Sequence, residues 1–241
     1  MSGAGTLGAT TNNLNLSGTA SLDLQKGLTV GNLVMASGNT ITNSTGTSTL
    51  TVGGTATLAG TMTTSGNQTY TGAVTLLANT NLISNSGSGN GTIAFLSTVN
   101  SNTGTNYALN TTTGTGSTTF ASTVGATQAL LSLTTSGNAS LGGSVTTTGA
   151  QNYGANLTLT GTDINLTTTN SAVSVVGTVV ADVTSSGNGI IEFLGLGSYQ
   201  YSTNSGSSFT TFTGVANASY GATSISGIGS RSESTRLNSS H

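Results

Sequence analysis

The chain of 241 residues contains no cysteine, no proline and no tryptophan, and only 3% of it is charged. Without cysteine there is no disulfide framework and no thiolate nucleophile or metal ligand. One histidine, His241, and one lysine, Lys26, leave little for nucleophilic or acid–base catalysis, which needs a positioned Ser, Cys or Lys beside a His or carboxylate. The acids before the last eleven residues are Asp23, Asp163, Asp182 and Glu192, none within a few residues of another. A net charge of −2 supplies no basic patch for nucleic acid. No apolar run reaches the ~18 residues of a membrane-spanning helix, and Met1 to Thr11 lacks the basic start and apolar stretch of a signal peptide. Disordered chains combine low hydrophobicity with high charge and proline; here charge and proline are both scarce, and apolar residues alternate regularly. The expectation is a protein that is not an enzyme, with no catalytic, cofactor-binding or metal-binding residue and no cofactor.

What the chain does have is self-similarity. Leu50 to Ser84, LTVGGTATLAGTMTTSGNQTYTGAVTLLANTNLIS, returns 83 residues later without a gap as Leu133 to Thr167, LTTSGNASLGGSVTTTGAQNYGANLTLTGTDINLT, with 13 of 35 positions identical. The matches include Gly60/Gly143, Gly66/Gly149, Gln68/Gln151, Tyr70/Tyr153 and Leu76/Leu159. Similarity at a fixed offset marks a repeat architecture. Within each block the unit is short, as in Leu14-Asn-Leu16, Leu50-Thr-Val52 and Leu157-Thr-Leu159. Alternation of apolar residues with Thr, Ser or Asn is the period-2 signature of a strand with one buried face. The 36 glycines rule out long helices, since each would cost a helix about 1 kcal/mol.

The spacing predicts strands near Leu14, Leu22, Leu28, Leu33, Ile41, Leu50 and Ala56 to Leu58. Three short strands would make a coil of ~20 residues, so four coils would fill the 83-residue offset and place Tyr70 and Tyr153 at matching points of their windings. The expected fold is all-β: a right-handed parallel β-helix, or solenoid, in which each coil buries a thin line of Val, Leu and Ile. About eleven coils at ~4.8 Å each would give a rod of ~50 Å.

Ser88 to Leu96 reappears as Ser186 to Leu194 with seven of nine positions equal, but at an offset of 98. The 15 extra residues, between Thr168 and Val183, supply most of another coil. Gly116 to Ala126 adds a further coil with Phe120 as its inward aromatic. Residues 1–197 thus read as parallel β-helix repeats.

Residues 198–230 change character, with Tyr199, Tyr201, Phe209, Phe212 and Tyr220 close together. They read as an aromatic-rich β-hairpin, either capping the solenoid or opening a further β-domain, with Thr203 to Ser207 as its turn. Residues 231–241, RSESTRLNSSH, hold three of the chain's eight formal charges, and STRLNSSH resembles the translation of a sequencing adapter. They read as a non-native tail on a fragment.

Two weaker features complete the reading. Lys26 beside Asp23 makes a surface ion pair worth well under ~1 kcal/mol. Coils of ~20 residues would set Asp163 and Asp182 one above the other, where a calcium ion would relieve their repulsion. Two carboxylates fall short of the six or more oxygens that Ca²⁺ takes, so both read as solvated surface acids.

TTSGNQTYTGAVTLLANTNL, TTTGAQNYGANLTLTGTDINL and GNGTIAFLSTV resemble the β-strand repeats of filamentous-haemagglutinin-like exoproteins and giant bacterial adhesins. The resemblance covers residues 14 to 197, through Gly-x-Gln-x-Tyr followed by Val/Leu-Thr-Leu. It implies a secreted right-handed parallel β-helix at the extracellular surface of the outer membrane, mediating cell adhesion or biofilm formation, with a host or cell-surface glycan or protein as partner. Open strand edges at the ends of such a rod would favour end-to-end self-association. The alternatives are a phage tail fibre or tailspike segment, which would trimerise, and an ice-binding β-solenoid, which would display a Thr-x-Thr ladder such as begins at Thr45-Gly-Thr47-Ser-Thr49-Leu-Thr51.

Overall fold

A computed structural model describes residues 12–86, 90–161 and 163–181, together with the backbone of five short strands between Ile191 and Leu237. Parallel strands, most of three or four residues, stack as a β-solenoid of about eight turns of roughly 21 residues. No α-helix occurs among the described residues. At ~4.8 Å per turn, eight turns span ~38 Å, fewer turns and a shorter rod than the eleven coils expected over the whole chain.

Three ladders run the length of the rod and define three faces. The first climbs from Leu14 through Leu33, Ala56, Val74, Val99, Val124 and Val145 to Leu166. The second carries Leu22, Ile41, Met62, Leu82, Thr111, Thr135, Tyr153 and Val175. The third carries Val30, Val52, Tyr70, Phe95, Phe120, Leu141, Leu159 and Ala181. The expected strands all form: Leu14–Leu16, Ser21–Asp23, Leu28–Val30, Leu33–Met35, Thr40–Thr42, Leu50–Val52 and Ala56–Thr63. Ala56–Thr63 and Val74–Ile83 are longer because each runs through the bend from the first face to the second. Gly60 makes the first of these bends at φ +85°, where a Cβ would also stand 2.7 Å from the Asn39 carbonyl oxygen.

The alternation read in the sequence sets what lies inside. In Leu28–Val30, Leu50–Val52 and Leu157–Leu159 the outer two residues are buried and the middle one is partly exposed. Burying an aliphatic side chain of this size contributes about 1.5–3 kcal/mol, so each turn holds itself to its neighbours with a few such residues. On the third face the apolar column becomes aromatic. Tyr70 stacks on Phe95 at 5.2 Å between ring centroids and Phe95 on Phe120 at 4.9 Å, with planes 13° and 5° apart. Phe120 is fully buried, as predicted.

One corner column is glycine. A Cβ on Gly91 would lie 2.4 Å from both the carbonyl carbon and the oxygen of Gly66, one on Gly116 would lie 2.3 Å from the Gly91 oxygen, and one on Gly137 would lie 3.0 Å from the Gly116 oxygen. Successive turns touch backbone to backbone here, and only glycine leaves room.

The repeat does not come round in phase with the turns. Three turns above Tyr70 on the third face stands Leu141, and Tyr153 follows two faces later, on the second face. The 83-residue offset is therefore three and two-thirds turns rather than four, and Tyr70 and Tyr153 lie on different faces. The reason is that the duplicated block runs through nearly two turns of short strands, and every face takes the same kind of strand with its outer residues inward, so the block seats in either phase: Leu50 starts it on the third face and its counterpart Leu133 on the second. The same holds for the second repeat. Four turns above Phe95 is Ala181, and the strand Ile191–Leu194 falls one face further on, pairing with Ile164–Thr167 on the first face. The inserted stretch after Thr168 forms Val173–Val175 and Val179–Ala181, two-thirds of a turn.

Further along the chain, Ser198–Tyr201 pairs antiparallel with Thr210–Thr213, Tyr199 opposite Phe212. The expected turn, Thr203 to Ser207, lies outside the described residues, as do Phe209 and Tyr220. In the tail only the backbone of Thr235–Leu237 is described, antiparallel to Thr223–Ile225.

Candidate functional site

Charge is confined to the ends of the described rod. Residues 27–161 carry no ionisable acid or base other than tyrosine. Asp23, on the second face, takes hydrogen bonds from the backbone N–H of Ser44 at 2.9 Å, the Ser44 hydroxyl at 2.5 Å and Gln25 Nε2 at 3.0 Å. The Ser44 hydroxyl, then the Ser44 amide and Gln25, hold its carboxyl below the ordinary value of 3.8. The ion pair expected with Lys26 is replaced by these contacts. Ser44 is fixed on the next turn and offers two donors, whereas a lysine side chain would lose rotamer freedom for one exposed contact. Asp163 is exposed at the start of a first-face strand. Asp182 lies outside the described residues, and so does the side chain of Glu192. Among the described residues no group of three or more His, Cys, Asp or Glu could hold a metal ion, and no helix is long and apolar enough to cross a membrane.

The outward surface is mainly hydroxyl and carboxamide, with Val34, Leu96, Leu131, Val176 and Val180 exposed among them. On the second face the outward column runs from Ser21 through Thr40, Thr61, Asn81, Asn110, Thr134 and Asn152 to Ser174. Its members partly satisfy one another, Thr40 Oγ1 donating to Ser21 Oγ at 3.1 Å and Asn110 Nδ2 to Asn81 Oδ1 at 2.8 Å. On the third face the column starts Thr29, Thr51, Thr69 and is then interrupted by Ala94. Of the Thr-x-Thr run, Thr49 and Thr51 flank inward Leu50 on this face, while Thr45 and Thr47 sit exposed in the preceding corner. Asparagines act as corner staples: Asn32 Oδ1 accepts the Thr55 amide at 2.7 Å, Asn67 Oδ1 the Thr92 amide at 2.9 Å and Asn156 Oδ1 the Thr178 amide at 3.0 Å.

The most organised polar groups are inside. Gln68 is fully buried; its Nε2 donates to Ile83 O at 2.9 Å, Thr64 Oγ1 at 3.2 Å and Met62 O at 3.4 Å, and its Oε1 accepts the Tyr70 hydroxyl at 3.0 Å. Thr64 Oγ1 in turn donates to Gly66 O at 2.6 Å. Gln151 repeats this contact by contact, with Thr167 O at 2.9 Å, Thr147 Oγ1 at 3.3 Å, Val145 O at 3.3 Å and the Tyr153 hydroxyl at 3.1 Å, while Thr147 Oγ1 reaches Gly149 O at 2.6 Å. Burial pushes both tyrosine hydroxyls far above their ordinary range. The identities in the repeat were visible, but their meaning was not. The available signal was phase: in Gln68-Thr69-Tyr70 the glutamine occupies an inward position that Leu50 fills one turn earlier.

Against known proteins, no family model, no curated protein and no solved structure matches this chain.

Proposed function

We propose that this chain is a non-catalytic structural and adhesive segment of an exported bacterial surface protein, contributing to attachment or biofilm formation through the reach and outer surface of a neutral rod. The observation that carries the reading is the combination of additive parallel turns with an outward surface of Thr, Ser and Asn that carries no charged side chain from residue 27 to 161. Length grows with each turn added, because each turn packs chiefly on its neighbours. A surface of this chemistry meets a partner through hydroxyl and amide hydrogen bonds and methyl contacts, which suits a neutral glycan or protein surface. The likeness of the Gly-x-Gln-x-Tyr blocks to adhesin repeats supports the same reading. Display of the whole chain on a non-adherent bacterium tests it: attachment to glycan-coated or matrix-coated surfaces should rise over the bare strain and persist at high salt. No gain over the bare strain would defeat the reading.

A further inference from the structure

We propose that Asn90 is a self-modification site whose carboxamide is lost to the backbone nitrogen that follows it, and that the glycine corner is the latch preventing this while the rod is closed. Asn90-Gly91 is the one Asn-Gly pair among the described residues. Asn90 is exposed and outside any strand, and its carboxamide holds no amide of the next turn as those of Asn32, Asn67 and Asn156 do. Glycine on its C-terminal side presents a nitrogen with no side chain beside it, the least obstructed backbone nucleophile an asparagine can meet. The step balances within the chain and water. The Gly91 nitrogen gives its proton to solvent and bonds to the Asn90 side-chain carbonyl carbon; the carbon–nitrogen bond of the carboxamide breaks and its nitrogen leaves, protonated, as ammonia. Water then opens the five-membered imide at one carbonyl or the other, leaving aspartate or isoaspartate.

Ring closure is blocked in the closed corner. The Gly91 N–H donates to Ser84 O, 3.0 Å from the nitrogen. In the imide a carbon takes the place of that hydrogen at roughly 1.4 Å from the nitrogen, which would set it within about 2 Å of the Ser84 oxygen, far inside van der Waals contact. Gly91 is also buried, so shedding its proton there would leave a desolvated negative nitrogen. The Ser84 hydroxyl clamps the same residue from its other end, donating to Gly91 O at 2.7 Å. Conversion therefore waits for local opening. Either product puts a carboxylate into a stretch, residues 27–161, that otherwise has none. Isoaspartate also adds a backbone carbon where there is no room for one: Asn90 O lies 3.1 Å from the Cβ position of Gly116, and Gly66 lies 2.4 Å from that of Gly91. An isoaspartyl corner cannot reseat, so the mark both records an opening and keeps the corner open.

The test incubates the whole chain in mildly alkaline buffer, folded or in urea. Mass spectrometry of the chymotryptic peptide spanning Asn90 reads the exchange of ammonia for water, and enzymatic methylation scores isoaspartate. The unfolded chain should convert at Asn90, and the folded chain at least about tenfold more slowly. That slowing should match the hydrogen-exchange protection of the Gly91 amide within about threefold, since one opening gates both. Ser84→Ala, which removes the hydroxyl clamp and keeps the Gly91 N–H bond, should speed conversion in the folded rod about threefold to tenfold and leave the urea rate unchanged. No conversion in urea, equal folded and unfolded rates, or a slowing that departs from the Gly91 protection overturns the proposal, and these comparisons on the parent chain decide it whether or not the variant folds. A folded Ser84→Ala rod that converts no faster than the parent overturns it as well.

Discussion

Gly91→Ala puts the corner stacking to a quantitative test. The new Cβ would lie 2.4 Å from the Gly66 carbonyl carbon and oxygen and 2.7 Å from the Ser84 oxygen, all backbone atoms. Gly91 has no slack to escape, since its N–H donates to Ser84 O at 3.0 Å and its own oxygen accepts the Ser84 hydroxyl at 2.7 Å. Ordinary contact would require the upper turn to lift by about 1 Å at a corner where Gly116 rests on Gly91, and overpacking of this kind costs about 3 kcal/mol. Gly104→Ala is the control. Gly104 has φ +85° in an exposed turn, and nothing lies within 4 Å of its added Cβ. A left-handed backbone costs an L-residue about 1–2 kcal/mol, offset in part by about 0.4–1 kcal/mol from stiffening the unfolded chain. Urea unfolding followed by far-UV circular dichroism should therefore show Gly91→Ala losing about 3 kcal/mol and Gly104→Ala about 1 kcal/mol or less. If Gly91→Ala falls within about 0.5 kcal/mol of the parent, or Gly104→Ala proves the worse of the two, the close backbone stacking described here is wrong.

Thr135 Oγ1 is, among the described residues, the buried side-chain polar atom without a hydrogen-bond partner. Thr135→Val should accordingly be neutral or stabilising by up to about 1 kcal/mol, whereas Thr64→Val, which breaks the Gln68 corner, should cost about 1–3 kcal/mol in the same urea titration. Double-mutant cycles of Gln68→Leu with Tyr70→Phe and of Gln151→Leu with Tyr153→Phe should return the same coupling energy within about 0.5 kcal/mol, although the pairs stand on different faces; unequal couplings would show that the face matters. Stability should hold level across neutral pH and fall in alkali. Tyr70 and Tyr153 are shifted up from 10.0 by burial, so above that value the unfolded chain sheds protons that the native state keeps. Each then removes about 1.4 kcal/mol per pH unit, and Tyr70→Phe/Tyr153→Phe should flatten that limb; an unchanged limb would refute the assignment. At the acid end, Asp23 contributes only above its depressed folded value and its contribution fades as pH falls through it, so Asp23→Asn should blunt a small acid loss in a thermal-melt series.

Strand positions were legible in the sequence because two-residue alternation broken by Gly and Asn leaves little freedom in where Leu28–Val30 or Leu50–Val52 can begin. Which face each strand occupies was not legible. Face depends on the number of strands passed, and corner lengths vary from the two residues between Leu58 and Thr61 to the nine between Ile83 and Ile93. A duplicated run of short strands carries no mark of the face on which it starts, so Tyr70 and Tyr153 could match in sequence and still look in different directions. The partner of Asp23 was hidden for a related reason. Ser44 is remote in sequence and arrives only through the stacking of Asp23 on Thr42, while Lys26 is conspicuous three residues away.

A period of three and two-thirds turns has a geometric outcome for any longer array built from this block. Each new copy would be rotated by a third of a circle from the last, so three in succession would point the same patch of surface to every side of the shaft. A partner approaching from any direction would then find an identical landing strip.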